Sequence, residues 1–442
     1  MKKLLSIITN LNNKNFILSS SIIVITASMA GNVFAYIFQL LSGRYLAVTD
    51  YGKLTALFSL SGIIPLLISL VLGALPKLVA EIKDIDYPKR ISHLFFTLSY
   101  FSIASFTVIT ALLLIFQKQI GTYLNIEDPA LIQSFSFAVG AGILIAFLTP
   151  FLQGLLRFKA FSFVGILTAF LKLGVIIAII MIQLGPKAFL IGHGELVNGV
   201  TQIFIGLGLT TLLMGGIALL LLKKNLVFDI GKIDYQDFKI LLKYSLFSAL
   251  GLAGINIMQN IDLIVAKHLF SETTAGLYGS TTVIGKIIFY AASPIAIVML
   301  PICSQKFKNG QNFVKPFLSS MGIGLFISIA GLMFYTFLPE FTINLLFGPK
   351  YLGVAEYLSL YSIYMVIFTL MNFLTMFLIS ISKFKLSTLP LIAAVLQFIG
   401  IQFFANSIND IIIYSIWASI FVTLPLGIFV TKIALENKRT KD

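Results

Sequence analysis

Apolar runs longer than a membrane is thick recur along the whole chain, and this constrains its fold more than any other feature. Residues 165–185, "GILTAFLKLGVIIAIIMIQLG", carry a single charge. A helix needs about 20 apolar residues to cross the hydrocarbon core of a bilayer. Marking such runs between charged or turn-rich breaks predicts twelve spans. The first six centre near Phe34, Pro65, Ser105, Gly142, Lys172 and Leu209, the second six near Gly254, Ile288, Phe326, Ile367, Leu396 and Trp417. With 58% hydrophobic and 11% charged residues, the composition lies far outside that of soluble domains. The expected class is an all-α, polytopic membrane protein. The first run, Phe16 to Leu41, is too long for the apolar region of a signal peptide and reads as a retained span.

The net charge of +14 could point to nucleic acid, but the distribution of basic residues gives another reading. With the amino terminus placed in the cytoplasm, 23 Lys and Arg residues fall in inner loops and tails, and six (Arg44, Lys53, Lys118, Lys187, Lys267 and Lys350) fall outside. Lys172 and Lys286 fall within spans. This is a strong positive-inside bias. It predicts a multi-pass protein of the cytoplasmic membrane with both termini cytoplasmic and no nucleic-acid partner.

The chain also repeats itself. "SGRYLAVTDYGKLTALFSL" (42–60) and "NIDLIVAKHLFSETTAGLYGS" (260–280) each place a basic residue, a leucine two positions on, a polar turn and then a glycine opening the next span. Gly52 and Gly276 are 224 residues apart, and Leu75-Pro76 and Leu300-Pro301 are 225 apart. "LLRFKAF" around Arg157 and "ISKFKLS" around Lys383 match at an offset of 226. Six spans per copy give both copies the same orientation, a parallel repeat about an axis along the membrane normal. The expected organisation is one six-helix bundle over 1–224, a cytoplasmic linker over 225–238 and a second six-helix bundle over 239–442. Two such bundles facing each other across a cleft predict alternating access to a central cavity.

Ionisable groups within spans cost about 2.5–3.5 kcal/mol on insertion scales, and they usually face a partner or a cavity. Four stand out. Lys172 and Lys286 sit near the middles of spans five and eight, Asp262 in the outer part of span seven, and Arg44 at the outer end of span one. Asp262 and Lys286 lie on consecutive antiparallel spans at depths a lysine can bridge. A structural ion pair and a role in transport are both open for them. Arg44 and Lys267 can snorkel to the outer interface, the preferred reading for Lys267. The span of Lys172 offers no acid, so a place facing an aqueous cavity is expected. If Lys172 and Lys286 both line the cleft, the cavity is cationic and attracts anions such as phosphate or diphosphate.

Other chemistries find little support. No Walker A motif is present, so nucleotide hydrolysis is not expected, and no cofactor is implied. His93, His193 and His268 lie in separate regions; "GHGE" (192–195) reads as a solvated turn, and no metal site is expected. The single cysteine, Cys303, excludes an intrachain disulfide and reads as a small apolar residue. Glycines and prolines within spans, such as Gly142, Gly208, Pro65 and Pro294, read as packing and kink positions.

Three stretches carry a family resemblance: residues 40–81, "NIDLIVAKHLFSETTAGLYGSTTVIGKI" from Asn260, and "INLLFGPKYLGVAEYLSLYS" (343–362). They resemble the polysaccharide (O-antigen) flippases of the multidrug/oligosaccharidyl-lipid/polysaccharide exporter (MOP) superfamily, over nearly the whole chain. The resemblance implies a MATE-like fold of two six-helix bundles around a cationic cavity. It also implies the movement of polyprenyl-diphosphate-linked oligosaccharide from the inner to the outer leaflet, with membrane lipids, a polysaccharide polymerase and glycosyltransferases as partners. Lys172, Lys286 and Arg44 are the candidates for meeting the diphosphate or acidic sugars, chosen by position and chemistry. Asp262 is the candidate for ion coupling or a structural ion pair. The main rival is a cation-coupled multidrug exporter of the same superfamily; the absence of Asp or Glu from residues 16–43 weighs against it. A membrane-embedded glycan polymerase is a third reading, for which the expected outer loops are short.

Overall fold

The computed structural model describes residues 2–66, 68, 72, 75–81, 87–191, 194–223, 226 and 235–439. His193 and most of the expected linker lie outside the described residues. In chain order the elements are α1 (Lys2–Tyr45), α2 (Val48–Ile63), α3 (Leu75–Glu81), α4 (Tyr87–Ile115), α5 (Gln117–Tyr123), α6 (Pro129–Ile145), α7 (Leu148–Gly154), α8 (Phe158–Gln183) and α9 (Gly185–Ile191). There follow α10 (Gly199–Leu222), α11 (Tyr235–Leu269), α12 (Glu272–Lys308), α13 (Val314–Phe337), α14 (Pro339–Leu346) and a 3-10 turn (Pro349–Val354). The chain closes with α15 (Ala355–Ser380), α16 (Phe384–Ser387), α17 (Leu389–Phe404) and α18 (Ile408–Arg439). No strand occurs among the described residues. Nine of the described helical segments are long and apolar enough to cross a membrane. The expected spans one and seven fall on α1 and α11, of 44 and 35 residues. The chain is a multi-pass membrane protein.

Packing divides it into two compact units, one of residues 1–42, 71–117 and 128–243, the other of residues 43–70, 118–127 and 244–442. Residues 43–70 and 118–127 come from the first half of the sequence yet pack with the second. In the first unit α6 packs on α4 and α10, and α8 packs on α10. In the second, α15 is enclosed by α12, α13 and α18, burying Tyr361, Tyr364, Met365 and Phe368.

The repeat is written into the backbone. Leu156 and Ser382, 226 residues apart, both adopt a left-handed conformation, with φ of 58° and 60°. Each closes a helix in the same way: the Arg157 amide donates to Leu152 O at 3.0 Å, and the Lys383 amide to Leu378 O at 2.9 Å. These bonds satisfy carbonyls that a helix end leaves unpaired. Left-handed geometry disfavours residues with a Cβ by about 1–2 kcal/mol, so its use at both equivalent positions marks a turn design repeated in the two copies rather than a local accident of one loop. Arg157 then donates through Nη1 to Leu221 O, capping the end of α10.

The second repeated element is a helix crossing. Within the second unit α2 packs along α12, and the two equivalent glycines meet. A Cβ built on Gly52 would lie 2.9 Å from Gly276 Cα and 3.3 Å from Glu272 O, and one built on Gly276 would run into Val48 O. Glu272 follows Val48 by 224 residues, so the contacts are reciprocal about a local two-fold axis. Absent side chains let backbones approach closely, as in other packed membrane helices. Ser271 starts α12, its Oγ accepting from the Thr274 amide with Glu272 in the first turn, a favourable arrangement at a helix N-terminus.

Candidate functional site

Asp262 lies on α11 with no exposed surface. Its Oδ2 accepts from Tyr278 Oη at 2.9 Å and Tyr361 Oη at 3.2 Å, and its Oδ1 accepts from the Leu263 amide at 2.8 Å. Tyr278 comes from α12 and Tyr361 from α15, so the carboxylate ties three helices of one unit together. Lys286 on α12 acts on it electrostatically, while the direct contacts are the two phenols and the amide. The sequence raised the Asp262–Lys286 pairing and missed the tyrosines. "GLYGS" and "LSLYSIY" carry them, and phenol hydroxyls inside an apolar span are the signal that could have drawn attention. The network continues: Tyr364 Oη donates to Met258 O at 3.1 Å, Gln397 Nε2 approaches Tyr364 Oη at 3.4 Å, and Gln397 also donates to Ser415 Oγ at 2.9 Å.

Lys172 belongs to the other unit. It is half-buried on α8, and its Nζ lies 4.7 Å from the ring centroid of Phe38 on α1. Phe38 itself is fully buried. A cation over an aromatic face is stabilised by the ring quadrupole, by about 2 kcal/mol when desolvated. Phe34 and Phe170 stack edge-on at 5.7 Å one turn away, holding α1 and α8 together around the lysine.

Arg44 is exposed, and its guanidinium donates through Nε to Leu346 O at 3.1 Å and through Nη2 to Leu345 O. It thereby caps the C-terminus of α14, where a cation is favoured. Lys350 returns the interaction, donating from Nζ to Arg44 O at 3.0 Å and Leu46 O at 2.6 Å, and Tyr351 Oη donates to Gly43 O at 3.1 Å. The same brace recurs at the repeat offset. His268 Nδ1 meets Tyr123 O, the end of α5, at 3.0 Å, which requires the tautomer with a proton on Nδ1. Asn125 Nδ2 donates to Lys267 O at 3.1 Å. Tyr123 and His268 also stack at 4.0 Å, and burial pushes the Tyr123 phenol above its ordinary pKa. None of these pairings was legible in the sequence, because each bond joins segments far apart along the chain.

Lys267 departs from expectation. It does not snorkel: its side chain has no exposed surface and lies 3.8 Å from Glu272 Oε1. Glu272 also lies 3.7 Å from Lys53, which pairs with Asp50 at 3.2 Å. The short turn between α11 and α12 folds Glu272 back over Lys267, so the ammonium finds a carboxylate without reaching water. Cys303 is buried, with Sγ 3.5 Å from Phe313 O, as a small apolar residue would be. Among the described residues no group of three His, Cys, Asp or Glu side chains is placed to hold a metal.

No protein-family profile matches the chain. An uncharacterized membrane protein of Methanocaldococcus jannaschii is 25% identical over 367 residues, which are 80% of this chain and 83% of that protein. Among solved structures, an inward-facing multidrug resistance MATE family transporter of the MOP superfamily superposes with a TM-score of 0.71 at 14% identity, over 92% of this chain and 96% of its own. The lipid II flippase MurJ in an inward closed conformation gives 0.70 at 14% identity, over 94% and 90%. A MOP superfamily transporter from Pyrococcus furiosus, described by the reversed polarity of its binding pocket, gives 0.66 at 13% identity, over 95% and 96%. The chain has the fold of the MOP superfamily transporters.

Proposed function

We propose that the chain is a flippase that moves polyprenyl-diphosphate-linked oligosaccharide from the inner to the outer leaflet of the cytoplasmic membrane by alternating access. Both termini are cytoplasmic in this reading, residues 1–224 and 239–442 form the two repeated bundles, and glycosyltransferases and a polymerase act before and after it. Lys172, Lys286 and Arg44 are the candidate contacts for the diphosphate or acidic sugars. One observation carries the choice of an anionic substrate. The Asp262 carboxylate is fully buried and already accepts three hydrogen bonds, whereas Lys172 is only half-buried on α8. The mid-span charge best placed to meet a substrate is thus positive.

The test is translocation of lipid-linked glycan in reconstituted vesicles. Lys172→Gln and Lys286→Gln should each slow it about ten-fold or more, the loss expected when a charge-assisted hydrogen bond is removed, with insertion into the membrane unchanged. Transport at the wild-type rate by both variants sinks the proposal. A cation-coupled multidrug exporter is the second reading, and the tyrosine-bound Asp262 favours it as a coupling group. In that case Asp262→Asn abolishes ion-driven efflux of cationic drugs, and lipid-linked glycan is not moved at all.

A further inference from the structure

A cavity of about 380 Å³ opens in the second unit where α12, α13 and α14 converge, walled by Ile287 and Ala291, Ile327 and Ala330, and Phe341 and Leu345. Its size falls in the lower part of the range of small-ligand sites, about 300–1,000 Å³. Two polar side chains reach it, and both are satisfied within the protein: Tyr335 Oη donates to Ile284 O at 3.1 Å and Thr342 Oγ1 to Leu338 O at 2.7 Å. The wall therefore offers a guest hydrocarbon contact and little else. A sugar or a polar drug placed here would lose hydrogen bonds to water without replacement, whereas an alkyl chain would not.

The rim is different in kind. Leu345 and Leu346, which line the cavity, are the residues whose carbonyls accept from Arg44. Those two bonds use two of the five guanidinium N–H groups. Arg44 is exposed, and among the described residues no carboxylate pairs with it. Lys350, on the 3-10 turn Pro349–Val354, donates to Arg44 O and fixes the backbone that carries the arginine. Apolar walls at the depth of a span, with an arginine fixed at the helix end above them, match a molecule that is hydrocarbon below and anionic above.

We propose that this cavity is a binding site for one chain of an anionic bilayer phospholipid, with the lipid phosphate on Arg44 at the rim. The site shares Arg44 with the substrate contacts proposed above, and lipid occupancy is read with no substrate present. The short helix α14 is then a lipid-bearing element: its carbonyl end positions Arg44, and its apolar face with Phe341 and Leu345 covers the bound chain.

Bromolipid quenching tests this on the intact protein. The chain has one tryptophan, Trp417, so Phe341→Trp in a Trp417→Phe background reports from the cavity wall in liposomes of brominated phosphatidylglycerol or brominated phosphatidylcholine. The expected result is an about five-fold preference for phosphatidylglycerol at position 341, the ratio expected from one interfacial cation. Arg44→Gln should bring that preference to parity. Ala330→Phe, at an exposed wall position where the added ring occupies the cavity, should also abolish it. The native Trp417, exposed on α18, should show no preference. Equal quenching by the two lipids at position 341 overturns the proposal, as does a preference that survives Ala330→Phe. If Arg44→Gln fails to insert, the Ala330→Phe variant alone decides the outcome.

Discussion

Alanine at Gly276 should be among the most damaging one-carbon changes in the protein. The new Cβ meets backbone, Val48 O, together with Val48 Cγ1 at 3.0 Å, so no rotamer change can relieve it and α2 must move away from α12. Overpacking of this kind costs about 1–3 kcal/mol, from which the helix-propensity gain of replacing glycine, about 0.5–1 kcal/mol, is subtracted. Gly142 supplies the reference: a Cβ there has no neighbour within 4 Å, so Gly142→Ala should stabilise by about 0.5–1 kcal/mol. Gly279→Ala should fall between them. Its Cβ meets Thr55 Oγ1 at 2.6 Å, a hydroxyl that can turn aside only by giving up its bonds to Tyr51 O and Gly52 O at 2.9 and 3.2 Å. The local two-fold adds a sharper demand. Gly52→Ala pushes the same two helices apart, so the Gly52→Ala/Gly276→Ala double variant should cost less than the sum of the single ones. Equilibrium unfolding in mixed micelles measures all five variants. If Gly276→Ala is as stable as Gly142→Ala, or if the double variant is strictly additive, the close reciprocal crossing is not how these helices pack.

Tyr278→Phe and Tyr361→Phe each remove a phenol donor from the buried Asp262 carboxylate and should each lower unfolding free energy by about 1.5–3 kcal/mol, with a smaller second loss in an Asp262→Asn background. Glu272→Gln should cost about 1–2 kcal/mol by leaving Lys267 buried without its carboxylate. That is below the roughly 3–5 kcal/mol of a fully buried pair, because Glu272 is 38% exposed and water screens it; adding Lys267→Met should recover most of the loss. A double-mutant cycle on Phe38→Leu and Lys172→Met should give a coupling of about 0.5–2 kcal/mol; zero coupling would show that the ammonium gains nothing from the ring.

The helical, membrane-embedded fold was readable because burial in lipid forces long uninterrupted apolar runs, and nothing else in a sequence looks like residues 165–185. The repeat was readable for a related reason: Gly52 and Gly276, and the turns at Leu156 and Ser382, are fixed by backbone geometry, and backbone geometry selects residue types at fixed spacing. Side-chain partners follow no such spacing. Asp262 and Lys286 could be paired on paper because they lie on adjacent helices, but Tyr361 reaches Asp262 from 99 residues away. Arg44 could be placed at the end of a span, yet its partners at Leu345 and Leu346 lie some 300 residues on. Lys267 was misread because a snorkelling rule considers one helix at a time, and the carboxylate that covers it belongs to the next.

The repeat also sharpens what is singular about Asp262. The residue 224 positions before it is Phe38, and both are fully buried at the same place in their copies. Phe38 meets Lys172 through its ring, and Asp262 is acted on by the charge of Lys286 on the next helix. These lysines do not correspond: one is on the fifth span of its copy, the other on the second. A buried cation can be held by a quadrupole at far lower desolvation cost than by a carboxylate, which must itself be solvated by donors. The first unit places a ring beside its lysine, while the second buries a carboxylate and recruits Tyr278 and Tyr361 to satisfy it. What the two copies share, the glycine crossing, the left-handed turns and the basic residues capping α14 and α5, is architecture that a two-fold arrangement reuses. Where they differ, one copy carries at this position a ring that cannot titrate, Phe38, and the other a carboxyl that can, Asp262. Proton binding at this repeated position is therefore open to the second unit and not to the first.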